Sequence, residues 1–158
     1  MRLRVCSPYN EYVPTTSPAE APSAEPAFAA AGLFLEQLAA RDFAGLKVAL
    51  EPDATLKALL PRGFCEWEGR EEVCDAFAGM LGGTEEYAVL EATVGLVGTR
   101  LQLAWRLRVS GGKVGPHNHV VEQQSYADPG PTGRIRSISL VCSGFCREQP
   151  AHSTKESS

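Results

Sequence analysis

Leu101-Gln102-Leu103-Ala104-Trp105-Arg106-Leu107-Arg108-Val109 alternates without a break. Leu101, Leu103, Trp105, Leu107 and Val109 fall on one side of an extended chain, and Gln102, Ala104, Arg106 and Arg108 on the other, because successive strand side chains point to opposite faces. A half-buried strand is expected. Three neighbours read the same way: residues 85–97 before it, and 115–127 and 134–142 after it. Gly111-Gly112-Lys113 and the run from Asp128 to Gly133, with its two glycines and two prolines, have turn chemistry. Connections this short imply antiparallel pairing, so the stretch from about Thr84 to Cys146 is expected to hold the sheet.

Ahead of the sheet the period changes from two to that of a helix. Pro26 suits a first helical turn, where its missing N–H leaves no bond unmade, and Phe28, Ala31, Leu35 and Leu38 follow at helical spacing, ending near Ala40. Asp42 is placed to cap a second, shorter helix in which Phe43, Leu46 and Leu50 share a face, ending at Glu51-Pro52. Residues 54–60 fit an extended segment or a helical turn equally well. Pro61-Arg62-Gly63 turns the chain, residues 64–68 read as a short strand, and Gly69 releases a helix carrying Val73, Phe77, Met80 and Leu81 on one face. Gly82-Gly83 stops it. Helices first and an antiparallel sheet after them is the α+β layer pattern, with the helices covering one concave face.

With 158 residues and 44% hydrophobic composition, the chain suits one domain with a real core. Prolines at 8, 14, 18 and 22 among Ser, Thr, Ala and Glu mark residues 1–25 as a disordered tail, in which Tyr9 and Tyr12 are the aromatic side chains. The polar residues 147–158 form a second tail, leaving 26–146 as the domain. A net charge of −4 and a pI near 5.4, with scattered basic residues, argue against nucleic-acid binding, which needs a basic face. No run approaches the roughly 20 apolar residues of a membrane span. The expected location is cytoplasmic, with no membrane partner. The five cysteines include no Cys-x-x-Cys pair, so free thiols are expected, with Cys65, Cys74 and Cys142 in buried-looking segments. Cys142 and Cys146 are spaced for a redox pair or two metal ligands if a turn brings them together.

Two helices, the Pro61-Arg62-Gly63 turn, the run Glu66-Trp67-Glu68-Gly69-Arg70-Glu71-Glu72-Val73 leading into a third helix, and a closing strand at Gly133-Arg134-Ile135-Arg136-Ser137-Ile138 give an order of elements that resembles the nuclear transport factor 2-like superfamily, particularly its SnoaL-like members. The resemblance covers about residues 27–146. It implies a cone-shaped α+β fold, with a curved antiparallel sheet wrapped around the N-terminal helices and enclosing a mostly apolar pocket. It implies little about chemistry, because the same shell serves cyclases, isomerases, dehydratases, epoxide hydrolases and non-catalytic modules. None of their complete catalytic sets matches here. The first helix carries no tyrosine and the pocket strands no evident aspartate, which argues against a steroid isomerase.

The most suggestive cluster lies between Gly115 and Ser125. On a strand, His117, His119, Val121 and Gln123 point one way and Asn118, Val120, Glu122 and Gln124 the other. The two histidines would then stand about 7 Å apart, close enough to ligate one metal or to divide acid and base roles. Polar pocket lining and a solvent-facing edge are the other readings of the pair. A His-x-His strand also resembles the cupin metal motif, but Gln123 stands where a cupin has its glutamate and the second motif is absent. Trp67 and Trp105 would form a flat wall for a planar ligand, and Gln123 and Cys142 would line the pocket, Cys142 following Ile138 and Leu140 on one face. The expectation is an apolar or aromatic small-molecule binder, without a cofactor, dimerising through its sheet. If it is an enzyme, the chemistry is acid/base isomerisation, cyclisation or hydration carried by His117 or His119. A non-catalytic dimerising module and a His-x-His metalloprotein are the alternatives.

Overall fold

A computed structural model describes residues 24–150. The proline-rich run with Tyr9 and Tyr12, and residues 151–158, lie outside the described residues. The elements are α1 (Ala24–Ala39), a 3-10 helix (Ala44–Ala49), β1 (Leu50–Leu60), β2 (Gly63–Glu68), α2 (Arg70–Leu81), β3 (Glu86–Val97), β4 (Arg100–Ser110), a 3-10 turn (Gly112–Val114), β5 (His119–Pro129), β6 (Ile135–Cys142) and β7 (Cys146–Arg147). Strand order is β2-β1-β6-β5-β4-β3, with β7 added to β5. The fold is α+β, with a curved, unclosed sheet whose concave side takes the helices.

The alternation in β4 does what it predicts. Leu101, Leu103, Trp105, Leu107 and Val109 are all buried, and β4 pairs antiparallel with β3 and β5 along its length. α1 lies against β3, β4 and β6, and α2 against β1 and β2. Between the helices and the sheet, Phe34, Phe77 and Trp105 meet with ring centroids 5.3, 5.9 and 6.2 Å apart, the first pair edge to face. Small side chains at Ala27, Ala30 and Ala31 share the buried stripe of α1 with Phe34 and Leu38. Phe28, expected on that stripe, is 38% exposed. The helix turns Phe34 inward instead, where two other rings receive it.

Several element boundaries differ from the sequence expectation. The second helix is a 3-10 helix that ends at Ala49, and Leu50 already belongs to β1. Asp42 still takes a capping-type bond, accepting from the Gly45 N–H at 2.9 Å. Pro52 lies at an irregularity of β1, the position in a sheet where a missing N–H is tolerated. Beyond it, residues 54–60 are extended. β1 runs parallel to β6, an exception among otherwise antiparallel neighbours. At the C-terminal end, Cys146 and Arg147 pair with Val120 and His119. Arg108 then grips Glu148 with two hydrogen bonds of 2.9 and 2.7 Å.

Two part-buried polar contacts fix the ends of elements. The Tyr87 hydroxyl donates to the Leu38 carbonyl in the last turn of α1 at 2.8 Å, and burial pushes the phenol up to about 12. Glu51, 3% exposed, accepts from the Thr132 hydroxyl at 2.6 Å and the Thr132 N–H at 2.9 Å, tying β1 to the β5–β6 turn. A Cβ on Gly130 would come 2.6 Å from the Glu51 side chain, so glycine is required for this close approach.

Candidate functional site

The chain leaves a cleft of about 570 Å³ where the β1–β2 turn, the end of α2, the 3-10 turn after β4 and the end of β6 converge. That size suits a small organic ligand. Leu60, Met80, Val114, Val121 and Phe145 supply apolar lining, with Cys142 beside them. Glycine stops shape it: Gly82 and Gly83 end α2, and Gly111 and Gly112, both at positive φ, let the 3-10 turn fold back over the helix end. The Lys113 amide donates to the Gly83 carbonyl at 2.9 Å, which fixes that approach.

Beneath Met80 and Cys142 lies Gln123, fully buried. Its orientation follows from chemistry. The Trp105 indole N–H, a donor only, reaches Gln123 Oε1 at 2.8 Å, so the amide nitrogen must face the other way. There it donates to Cys142 Sγ at 3.3 Å and points toward Met80 Sδ at 3.8 Å. The Gly144 N–H also donates to Cys142 Sγ, at 3.4 Å. A satisfied polar chain therefore runs from the aromatic core to the wall of the cleft.

Two cations stand on the same cleft. Lys113 Nζ donates to the Gly79 and Met80 carbonyls at 2.8 and 3.0 Å, groups in the last turn of α2 that have no helical partner. It lies 5.4 Å from the centre of the Phe145 ring, and burial lowers its pKa. Arg62, at the β1–β2 turn, is exposed, and among the described residues it pairs with no carboxylate. The residues lining the cleft include no Asp, Glu or His.

The sequence-derived candidates divide into three places. Trp105, Gln123 and Cys142 come together, Trp105 as core and Cys142 at the cleft. Trp67, half-buried on β2, lines a neighbouring groove with Arg62, Glu72, Asp75 and Met80, so it forms no wall with Trp105. His117 and His119 do not share a strand face, because β5 begins at His119 and His117 precedes it. His117 is exposed and borders a separate groove with Asn118, Arg147 and Glu148. The His117 carbonyl lies 2.9 Å from His119 Nδ1, which makes Nδ1 the donor and leaves Nε2 as the basic nitrogen. Glu122 points to the outer face, 3.5 Å from Arg106. Cys146 is exposed. Among the described residues, no three His, Cys, Asp or Glu side chains are grouped to hold a metal ion.

Arg62, Met80, Lys113 and Val121 were not singled out from the sequence as a set. They lie on four elements, and only the fold brings them together. One local signal was present: a lysine in a glycine-flanked turn is well placed to reach a helix end that also stops at paired glycines.

No protein-family profile matches the chain, and no curated protein matches it. Solved structures do. An LEH-like epoxide hydrolase of Mycobacterium tuberculosis is 20% identical, covering 77% of this chain and 85% of its own, with a TM-score of 0.55. A protein of unknown function from Burkholderia pseudomallei, described as nuclear transport factor 2-like, is 17% identical over 73% of this chain and 88% of its own, with a TM-score of 0.57. A Catenulispora acidiphila protein with a ketosteroid isomerase-like fold, solved with trimethylamine, is 14% identical over 70% of this chain and 82% of its own, again at 0.57. At these identities the likeness is one of fold.

Proposed function

We propose that this chain, whose fold is nuclear transport factor 2-like, binds an apolar or aromatic small molecule at the open end of its cone. The observation that carries the reading is the cleft bounded by Leu60, Met80, Val114, Val121, Cys142 and Phe145. Its floor is held in place by the Trp105–Gln123–Cys142 chain. A preformed apolar cavity with few convergent polar groups is the usual form of such a site. Among the described residues Cys65, Cys74, Cys142 and Cys146 are free thiols, which fits a reducing compartment, and we place the protein in the cytoplasm on that ground. Among the described residues no helix is long and apolar enough to cross a membrane.

Gly79 offers a direct test. It sits in α2 at the cleft, and a Cβ added there meets nothing within 4 Å. Gly79→Trp is expected to fill the cleft while keeping the fold, since replacing a helical glycine by tryptophan gains roughly 0.3–0.5 kcal/mol in intrinsic preference. In native mass spectra of untagged protein, the wild type carries an additional organic mass and the variant does not. The same mass retained on both proteins would reject the cleft as the site.

Two further readings have observations of their own. On the outer sheet face, Leu59, Phe64, Tyr126 and Val141 are 53, 62, 41 and 56% exposed around one groove. Such a patch suits association, and a homodimer through the sheet is the proposed assembly. The same mass spectra report it as twice the chain mass. The second reading is catalytic: the free Nε2 of His119, its tautomer set by the His117 carbonyl, is a candidate general base. The groove that His117 borders is separate from the cleft. If the catalytic reading is right, replacing His117 and His119 together with alanine abolishes turnover and leaves thermal unfolding within about 1 kcal/mol of wild type, as for surface substitutions. Unchanged turnover would remove both histidines from the chemistry.

A further inference from the structure

The charges around the cleft are one-sided. Lys113 and Arg62 contribute to its lining, on the 3-10 turn and the β1–β2 turn, and no carboxylate does. Two acidic side chains, Glu72 and Asp75, border the neighbouring groove that also contains Arg62. Neither forms an ion pair with Arg62, and Glu72 accepts instead from the Glu68 N–H at 3.3 Å.

Each cation has a separate task. The end of α2 presents carbonyl oxygens, and the negative end of a helix repels an anion. Lys113 covers the Gly79 and Met80 carbonyls with its ammonium, so a negatively charged group in the cleft meets a cation there instead of bare oxygen. With two of its donors committed, Lys113 is a fixed positive wall. Arg62 has its guanidinium uncommitted among the described residues, and its planar fork matches a carboxylate with two parallel hydrogen bonds.

We infer that the cleft selects an apolar molecule carrying one acidic head group, a carboxylate, with Arg62 as the anchor, Lys113 as the supporting charge, and Met80, Val114, Val121 and Phe145 as the surface for the apolar body. The inference rests on the cleft being a small-molecule site, and it adds the charge of the ligand. A neutral ligand of the same shape leaves Arg62 without its pairing and gains only the apolar contact. A cationic ligand meets two like charges.

A matched pair of probes separates the two claims. Naphthalene-2-carboxylate and naphthalene-2-carboxamide share a ring system and differ in charge, and calorimetric titration of each into the wild type and Arg62→Gln measures both affinities. Arg62 is an exposed turn residue, so the variant is expected to fold, and thermal unfolding confirms it. The expected result is that the carboxylate binds the wild type at least ten-fold more tightly than the amide. Arg62→Gln should weaken the carboxylate about ten-fold and leave the amide unchanged, the range for losing one charged hydrogen-bonding partner. Equal binding of the two probes, or equal weakening of both by the substitution, overturns the selection for an acid while the cleft remains a ligand site. Binding of neither probe to the wild type overturns the cleft reading and the inference with it.

Discussion

Trp105→Ala is expected to lower the unfolding free energy by about 3–5 kcal/mol, the range for removing a buried aromatic side chain. Trp105 is 2% exposed and packs on both Phe34 and Phe77, so the cavity opens where α1, α2 and the sheet meet. The substitution also removes the N–H that fills Gln123 Oε1, leaving a fully buried amide oxygen without its donor. In urea the midpoint falls with the slope retained if the native state stays compact. A thermal midpoint lowered by on the order of 15 °C goes with it. Trp105→Phe separates the two contributions, since it keeps most of the packing and loses only the bond. A loss under 1 kcal/mol for Trp105→Ala would mean that the aromatic cluster does not organise the core.

Glu51→Ala is the second large effect, and it depends on pH. The Thr132 hydroxyl bond lowers the Glu51 pKa below its ordinary value; burial opposes this, while the Thr132 amide and the Arg134 charge add to the lowering. A carboxyl whose folded pKa is depressed contributes stability that is complete above its unfolded pKa and is lost as pH falls through the folded one. At neutral pH the variant removes the charged acceptor of the Thr132 N–H and hydroxyl; Thr132 is exposed and water replaces the carboxylate there, so the expected loss is about 1–2 kcal/mol. As pH falls from the ordinary carboxyl range through the lowered folded pKa, the wild type loses its advantage and the two unfolding curves converge. Denaturant titrations at neutral and acid pH check this. A gap that stays constant into acid would show that the loss is one of packing and not of the ionised bond.

The parts of the fold legible in the sequence are those whose cause is local. β4 announces itself by strict alternation, and α2 by Val73, Phe77 and Leu81 one above another between Gly69 and Gly82. The start of β1 was hidden because its cause is remote. Leu50 pairs with Ile135, and Glu51 is received by Thr132, so a Leu-Glu-Pro run that reads as a helix end is held extended by residues from the far side of the chain. Phe28 and Phe34 have equal claim to a helix face until the partners across the core are known. The histidines show the same limit: period two assigns His117 and His119 to one side of a strand, but the strand starts only at His119. At the cleft, Cys142 follows from the pattern of β6, while Arg62 and Lys113 converge through tertiary contact.

The parallel pair β1/β6 has a bearing on how the chain reaches this structure. β3 to β6 are joined by tight connections, so their ladders close small loops, whereas β1 finds β6 only after the whole intervening chain has been arranged. Closing a large loop loses entropy before any contact is gained, and chains rich in such contacts fold slowly. The meander is therefore expected to form early and the β1–β2 hairpin to dock late, which φ-values near zero for substitutions in β1 such as Leu56→Ala would bear out. Because the cleft takes Leu60, Pro61 and Arg62 from the β1–β2 turn, the proposed ligand site is expected to be among the last features to form. A molecule held there would then act as a latch on the element that arrives last.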